Sequence, residues 1–460
     1  MKSIVSAVYP YKIANMLIST ALCLLVVTTS CIGAPNTTRK EGTDIAITPV
    51  VAEQTDNSIW TRSCLFGDWD GERTNLANEG VTFYFNNIGD LQSDVTGNQE
   101  HHVTYDGRFR GIVDINFKKL SDIDGEFFFT ALWQYGRNNT AQYPAGSGAF
   151  GNPYHVNTFT SSVGGEESER IDQMWYQQGF ADNMFKVKFG QVAASSEFGA
   201  TDFYDVFVND ELAYAPDALY NIRQSFSPAG KPGIILWGDL SDVAKGLYVK
   251  AGAFSAYVNP YRPDSNGVYY KDQFNHSMTA AFEVGYIEPD AIYAGTYKAG
   301  LNGNEIGYVN PYTGETYRGD YNAYGVVEKT VYHPTGPDGK LQTAKGLDLL
   351  SEFIGAPGDR NPLQYEITFG GRYTGLIPGR DTDKIDFGAI YSDVGTAYSS
   401  AYRTVFGHGL GGETTLELGY QCNATPWLAI QPDIQDIINP QGDSNRNQIL
   451  IVGLRTIVQF

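Results

Sequence analysis

The residues of this chain that could do chemistry are charges spaced two apart among apolar neighbours. Arg108, Arg110 and Asp114 alternate with Phe109, Gly111, Val113 and Ile115, and Lys186 and Lys188 alternate with Phe185, Val187 and Phe189. Glu366 and Arg372 stand against Tyr365, Ile367, Phe369 and Tyr373. Glu413 and Glu417 stand against Thr414, Leu416, Leu418 and Tyr420, while Asp433 and Arg455 hold matching places near the end of the chain. Period two sends alternate side chains to opposite faces of a strand, so each set of charges shares one face. Two acids on one face, such as Glu413 and Glu417, could serve as the carboxylate pair of a glycoside hydrolase. Opposed charges could instead line a water-filled passage and choose the solutes it admits. The plainest use is an ion pair between neighbouring strands.

Other catalytic signals are poor. Gly407-x-Gly409-x-x-Gly412 has dinucleotide-fingerprint spacing, but no parallel βαβ unit surrounds it, and a glycine-rich loop accounts for it. His101, His102, His155, His276, His333 and His408 show no His-Glu-x-x-His spacing, and no Cys-x-x-Cys occurs. No catalytic residue, metal ligand or cofactor is therefore expected. A net charge of −20 argues against nucleic acid, because phosphate binding needs Lys and Arg.

The elements that position these charges are strands. Residues 1–34 read as an export signal, with Lys2 and Lys12 ahead of the apolar run Ile18 to Val27. Cleavage near Ala34 is the simple outcome, and lipid attachment at Cys31 the alternative. Residues 35–63 form a polar, flexible connector, and Asp70 to Asn78 predict a short helix with an acidic cap, ended by Gly80. Strands are then expected near 81–92, 103–118, 125–137, 168–180, 183–192, 231–238, 246–258 and 276–287. Eight more follow near 291–301, 321–333, 345–354, 363–375, 383–393, 413–424, 426–437 and 447–460. Connections after odd strands are mostly long and those after even strands mostly short, with 334–344 the exception; a membrane barrel keeps such parity and a soluble sandwich need not. With 51 Gly, 31 Tyr and 25 Phe the composition suits strands and interfacial aromatic girdles. The mean hydropathy of −0.28 fits strands with one polar face each. Cys64 and Cys422 could pair in an oxidising compartment, but parity points Cys422 outward.

The wording of the chain also resembles a known family. Glu417-Leu418-Gly419-Tyr420-Gln421, then Pro426 through Pro440 (PWLAIQPDIQDIINP), Val452-Gly453-Leu454-Arg455 and Phe460 closely resemble the ending of the carbohydrate-selective, OprB-type outer-membrane porins. Gly67-Asp68-Trp69-Asp70-Gly71-Glu72-Arg73, with Leu76 and Gly80, is similar to that family's entry motif, which more usually reads Asp-Trp-Gly-Gly-x-Arg; Asp70 departs from it. The resemblance covers roughly 64–460. It implies an all-β fold, a transmembrane antiparallel β-barrel of sixteen strands with a short N-terminal periplasmic helix, in the bacterial outer membrane. It also implies that the connection 193–230 folds into the lumen and narrows it. That stretch carries Glu197, Asp202, Asp205, Asp210, Glu211 and Arg223, whose polar groups could meet sugar hydroxyls. The expected partners are small sugars diffusing passively to the periplasm, outer-membrane lipids, and the barrel-assembly machinery through Phe460. Monomer and homo-oligomer both stay open. The competing readings are a general porin and an exported soluble carbohydrate-binding β protein.

Overall fold

Alternation decides the architecture. In the computed structural model, residues 58–97, 103–136, 168–203, 206–209, 212, 221–222, 224–227, 229–256, 266–268, 270, 273, 277–289 and 292–460 are described. The export signal and Asp205, Asp210, Glu211 and Arg223 lie outside them. The first eight strands are β1 (Val81–Asp94), β2 (Val103–Asn116), β3 (Gly125–Gly136), β4 (Ser168–Phe180), β5 (Phe185–Val192), β6 (Lys231–Asp239), β7 (Leu247–Ser255) and β8 (Met278–Ile287). The second eight are β9 (Gly295–Val309), β10 (Thr316–Tyr332), β11 (Gly346–Gly355), β12 (Leu363–Thr374), β13 (Lys384–Val394), β14 (Gly412–Thr425), β15 (Leu428–Ile438) and β16 (Ile449–Gln459). Each pairs antiparallel with its chain neighbours, and β1 pairs with β16, so the sixteen strands close into a barrel without a free edge.

The two faces differ as period two requires. On β15, Ala429, Gln431, Asp433 and Gln435 are buried, while Ile434 is exposed. Phe185, Phe189, Leu236, Phe282, Leu301, Phe353, Ile367, Phe369 and Leu418 form an exposed apolar exterior. Large apolar side chains on the outside and charges on the inside are the arrangement a bilayer stabilises. No helix among the described residues is long and apolar enough to cross a membrane; the crossing elements are strands.

Several local expectations need correction. Helix α1 (Glu72–Glu79) follows a 3-10 turn (Trp69–Gly71), and its acid partner is Asp68, not Asp70: Asp68 Oδ1 accepts from the Thr74 amide at 3.0 Å. Asp70 itself sits in the left-handed region at φ 57°, where the family's usual motif places Gly. β2 stops at Asn116, because the Asn116 side chain accepts from the Lys118 and Lys119 amides and starts helix α2 (Phe117–Ser121). β9 and β10 run on through most of 302–320 and meet in a tight turn at 310–315, where Asn310 Oδ1 accepts from the Tyr312 and Thr313 amides, each at 2.9 Å. The glycine-rich segment before β14 holds helix α3 (Thr396–Phe406), begun at Gly395 and ended at Gly407 with φ 81°. Cys64 and Cys422 are both free thiols; Cys422 Sγ lies 2.9 Å from an Arg380 guanidinium nitrogen.

The seam between β1 and β16 is fastened from below by α1. Buried Arg73 donates to the backbone oxygens of Phe460 (2.8 Å) and Phe83 (3.0 Å), and the Phe460 amide donates to Phe85 (2.9 Å). Arg73→Ala leaves two half-buried backbone oxygens without their donor, so a loss of about 1–3 kcal/mol is expected. A lower midpoint of urea unfolding, with an unchanged slope, is the check.

At the opposite end, Asp443 clasps the 395–411 and 439–448 connections together. It accepts from Tyr402 (3.0 Å), from the Asn445 amide (2.9 Å) and faces His408 Nε2 at 3.0 Å. Burial alone would raise its carboxyl, but the Asn445 amide, Tyr402 and His408 together hold it below the ordinary carboxylate value. A depressed acid contributes stability above its unfolded value of about 3.9, lost as pH falls through the lower folded value. Protease cleavage within 395–411 is therefore expected to stay slow at neutral pH and to accelerate only below about pH 4.

Candidate functional site

The site is built by the segment that leaves β5. It does not stand clear of the barrel. Ala193, Ala194, Ser195 and Ser196 are small enough to turn at once, with Ala194–Ser196 in a 3-10 turn, and all four are buried. Beyond them Phe198, Phe203, Val206, Phe207 and Leu212 pack with Ile235, Phe254, Tyr324 and Ile390 from the inner wall. Phe207 fits over Gly370 and Gly388, which face each other across β12 and β13: a Cβ on Gly370 would meet the Phe207 ring at 2.9 Å. Two facing glycines thus form the slot that receives the loop.

Polar anchors fix it. Working round the wall, Glu283 on β8 accepts from the Gly199 amide (2.8 Å), and Lys250 on β7 donates to the Glu197 carbonyl (3.1 Å). Lys298 on β9 donates to the Ala200 carbonyl, Glu328 on β10 accepts from the Asp202 amide, and Arg372 on β12 reaches the Asp202 carbonyl at 3.4 Å. Glu417 on β14 accepts from both the Val208 and Asn209 amides, each at 2.7 Å. Gln431 on β15 donates to the Val206 carbonyl (2.8 Å), and Arg455 on β16 to the Phe207 carbonyl (3.0 Å). The returning limb is held by Asn221 to the Leu363 carbonyl (2.8 Å) and by Ser225 to the Val192 carbonyl. Such irregular backbone is tolerated at membrane depth only because protein surrounds it.

The sequence-predicted residues divide by what they touch. Glu417, Arg455 and Arg372 hold the loop, and Arg372 also pairs with Asp348 at 3.2 Å. Glu197 and Lys188 are a buried ion pair, with the Lys188 ammonium 3.8 Å above the Trp175 ring. Asp202 contributes its backbone to these contacts. Glu413 accepts from the Gln441 amide, so Glu413 and Glu417 serve two different loops and do not face one substrate. Glu366 accepts from Ser392 (2.9 Å) and Asp433 from Gln435 (2.9 Å). Arg108, Arg110 and Asp114 are buried on the inner face of β2. Lys186 lies 4.3 Å over the Trp237 ring.

Sequence reasoning missed Asp90 and Glu283. Asp90 takes a bidentate pair from Arg455 at 2.7 and 2.8 Å across the closing seam. Glu283 gathers Tyr248 (3.0 Å), Tyr324 (2.8 Å) and the Gly199 amide. Both lie on inward parity, with Phe282 and Val284 exposed beside Glu283, and that alternation was the available signal.

With this geometry in place, comparison with known proteins is informative. The family model for the carbohydrate-selective porin, OprB family, matches residues 100–460. Porin B of Pseudomonas aeruginosa is 21% identical, over 88% of this chain and 92% of its own length. The high-pH structure of Pseudomonas putida OprB superimposes with a TM-score of 0.78 at 20% identity, covering 88% of this chain and all of that one. The low-pH structure of the same protein gives a TM-score of 0.54 at 18% identity, covering 87% and 99%. A closed sixteen-stranded barrel, an inward-folded loop after β5 and a family match over most of the length agree: the chain belongs to the OprB family of carbohydrate-selective porins.

Proposed function

We propose that sugars cross this outer-membrane porin past the folded-in loop, with the inward charges Arg108, Arg110 and Asp114 of β2 among the groups that select them. The chain is a sugar-selective channel of the outer membrane and not an enzyme. The observation that carries the pathway is the distribution of anchors, which tie the loop to β7, β8, β9, β10, β12, β14, β15 and β16. The base of the loop is held to β4 as well, through Ser227 and Asp172, so the loop is fixed across the lumen and the charges of β2 stand on the inner wall around it. Arg side chains offer fixed, directional donors to sugar oxygens, and the acids near them accept from sugar hydroxyls. Binding at each point is weak, so solutes leave as readily as they enter.

Export through a cleaved signal, assembly through the machinery that reads Phe460, and an annulus of outer-membrane lipid against the apolar exterior complete this reading. Phe460 is packed between Phe66 (5.3 Å) and Phe109 (5.9 Å), within the outward aromatic set. The test is conductance of purified single channels in planar bilayers, titrated with glucose and a disaccharide. Saturable partial block by glucose is expected, weakened by Arg110→Ala. Channels indifferent to both sugars would mark a general porin, and absence of channels from folded protein would overturn the transport reading.

A further inference from the structure

At the end of the barrel that carries the short turns, the lumen holds a second feature, which shares Lys188, Glu197 and Lys250 with the base of the loop. A cavity of about 210 Å³ is lined by Glu126, Gln177, Lys186, Lys188, Trp237 and Lys250, among others. These residues come from β3, β4, β5, β6 and β7, each close to a periplasmic turn, and Lys186, Trp237 and Lys250 are direct cross-strand neighbours in one row.

Among the described residues, two donors in this cavity have no hydrogen-bond acceptor. The indole N–H of Trp237 is buried and makes no hydrogen bond. The Lys186 ammonium lies over the face of that indole, 4.3 Å from the ring centre, with the Asp239 carboxylate near enough to feel its charge. Lys188 and Lys250 are already engaged, by Glu197 and Glu283. An orphaned buried donor is costly, and a ligand oxygen that draws Lys186 aside and accepts from the indole removes that cost. Glu126 and Gln177 supply acceptors on the facing strands, and the carboxylates Glu126 and Glu197 nearly balance the lysines. That mixture of donors and acceptors, without a large excess of charge, matches a neutral polyhydroxylated ring better than an anion.

From this we infer that the Lys186–Trp237 cavity is a periplasmic-side subsite for a neutral monosaccharide, occupied after the solute has passed the loop. The inference rests on the transport reading above. A second weak site beyond the narrowest point shortens the stay at the constriction and gives the channel a side-dependent response to sugar.

The experiment is single-channel recording of the full protein, inserted with uniform orientation, with glucose added to one side at a time. Trp237→Phe keeps the ring and removes only the N–H; Lys186→Met removes the ammonium. Each is expected to raise the half-blocking glucose concentration from the periplasmic side about fivefold, with block from the outer side unchanged. Salt conductance of Trp237→Phe should equal that of the parent, which shows that the barrel and loop are intact. Parent and Trp237→Phe blocked equally from the periplasmic side would overturn the subsite while leaving the porin reading standing. A parent channel that glucose blocks from neither side would overturn both.

Discussion

Glu417→Ala is expected to convert a quiet, sugar-blocked channel into a wide and noisy one. Both Glu417 oxygens are used by loop amides, Val208 and Asn209, and all three residues are buried. Each of these bonds is worth about 0.5–1.5 kcal/mol, so removing the side chain weakens loop attachment by about 1–3 kcal/mol, roughly five- to a hundredfold in the loop's seated population. The barrel itself should suffer less. Asp386 and Asp433 are close enough to repel Glu417, and its removal relieves that repulsion. The expected pattern is thus a large rise in conductance and loss of glucose block, with only a modest fall in the urea midpoint. Glu417→Gln, which keeps one acceptor oxygen but brings an amide N–H toward a backbone N–H, should lie between. A Glu417→Ala channel with parental conductance would mean that the apolar seat of Phe207 holds the loop by itself.

Arg455 is the second test, and here the barrel is expected to fail first. Its guanidinium is buried, forks onto Asp90 across the β1–β16 seam and donates to the Phe207 carbonyl. Removing one partner of a buried pair leaves an uncompensated charge, at a cost of about 3–5 kcal/mol. Arg455→Met should therefore lower the midpoint of urea unfolding strongly and reduce the yield of folded barrel. Arg455→Met combined with Asp90→Leu removes both charges and should recover much of the stability. It should not recover the loop contact, because the Phe207 carbonyl still lacks its donor. Stability regained while sugar block stays weakened would separate the two roles of this one side chain.

The strands were legible because inward and outward residues alternate so regularly. Lys186 and Lys188 between phenylalanines, or Gln431 and Asp433 between isoleucine and proline, announce a two-faced strand without any partner in view. The partners themselves were less visible. Asp90 and Arg455 meet only because β1 closes on β16, and nothing near either residue in the chain points to the other. The loop anchors were illegible for a related reason: Val208 and Asn209 offer backbone amides, which every residue has, and the acceptor lies on β14. Where local chemistry competes with alternation, alternation misleads. Asn116 stops β2 by capping a turn, and Asn310 folds what reads as a long loop into a short one.

The route of the anchors also sets an order of events. The loop after β5 lies in the first half of the chain, but Glu417, Gln431 and Arg455 belong to the last three strands. The anchors on β7, β8, β9, β10 and β12 hold only part of that loop, and its full set is complete only once β14, β15 and β16 are in place and β1 meets β16. Contacts of such long sequence separation form late. Selectivity is therefore completed in the same step as closure: a barrel still open at its seam has a filter fastened on one side alone, and a finished one has it fastened all round.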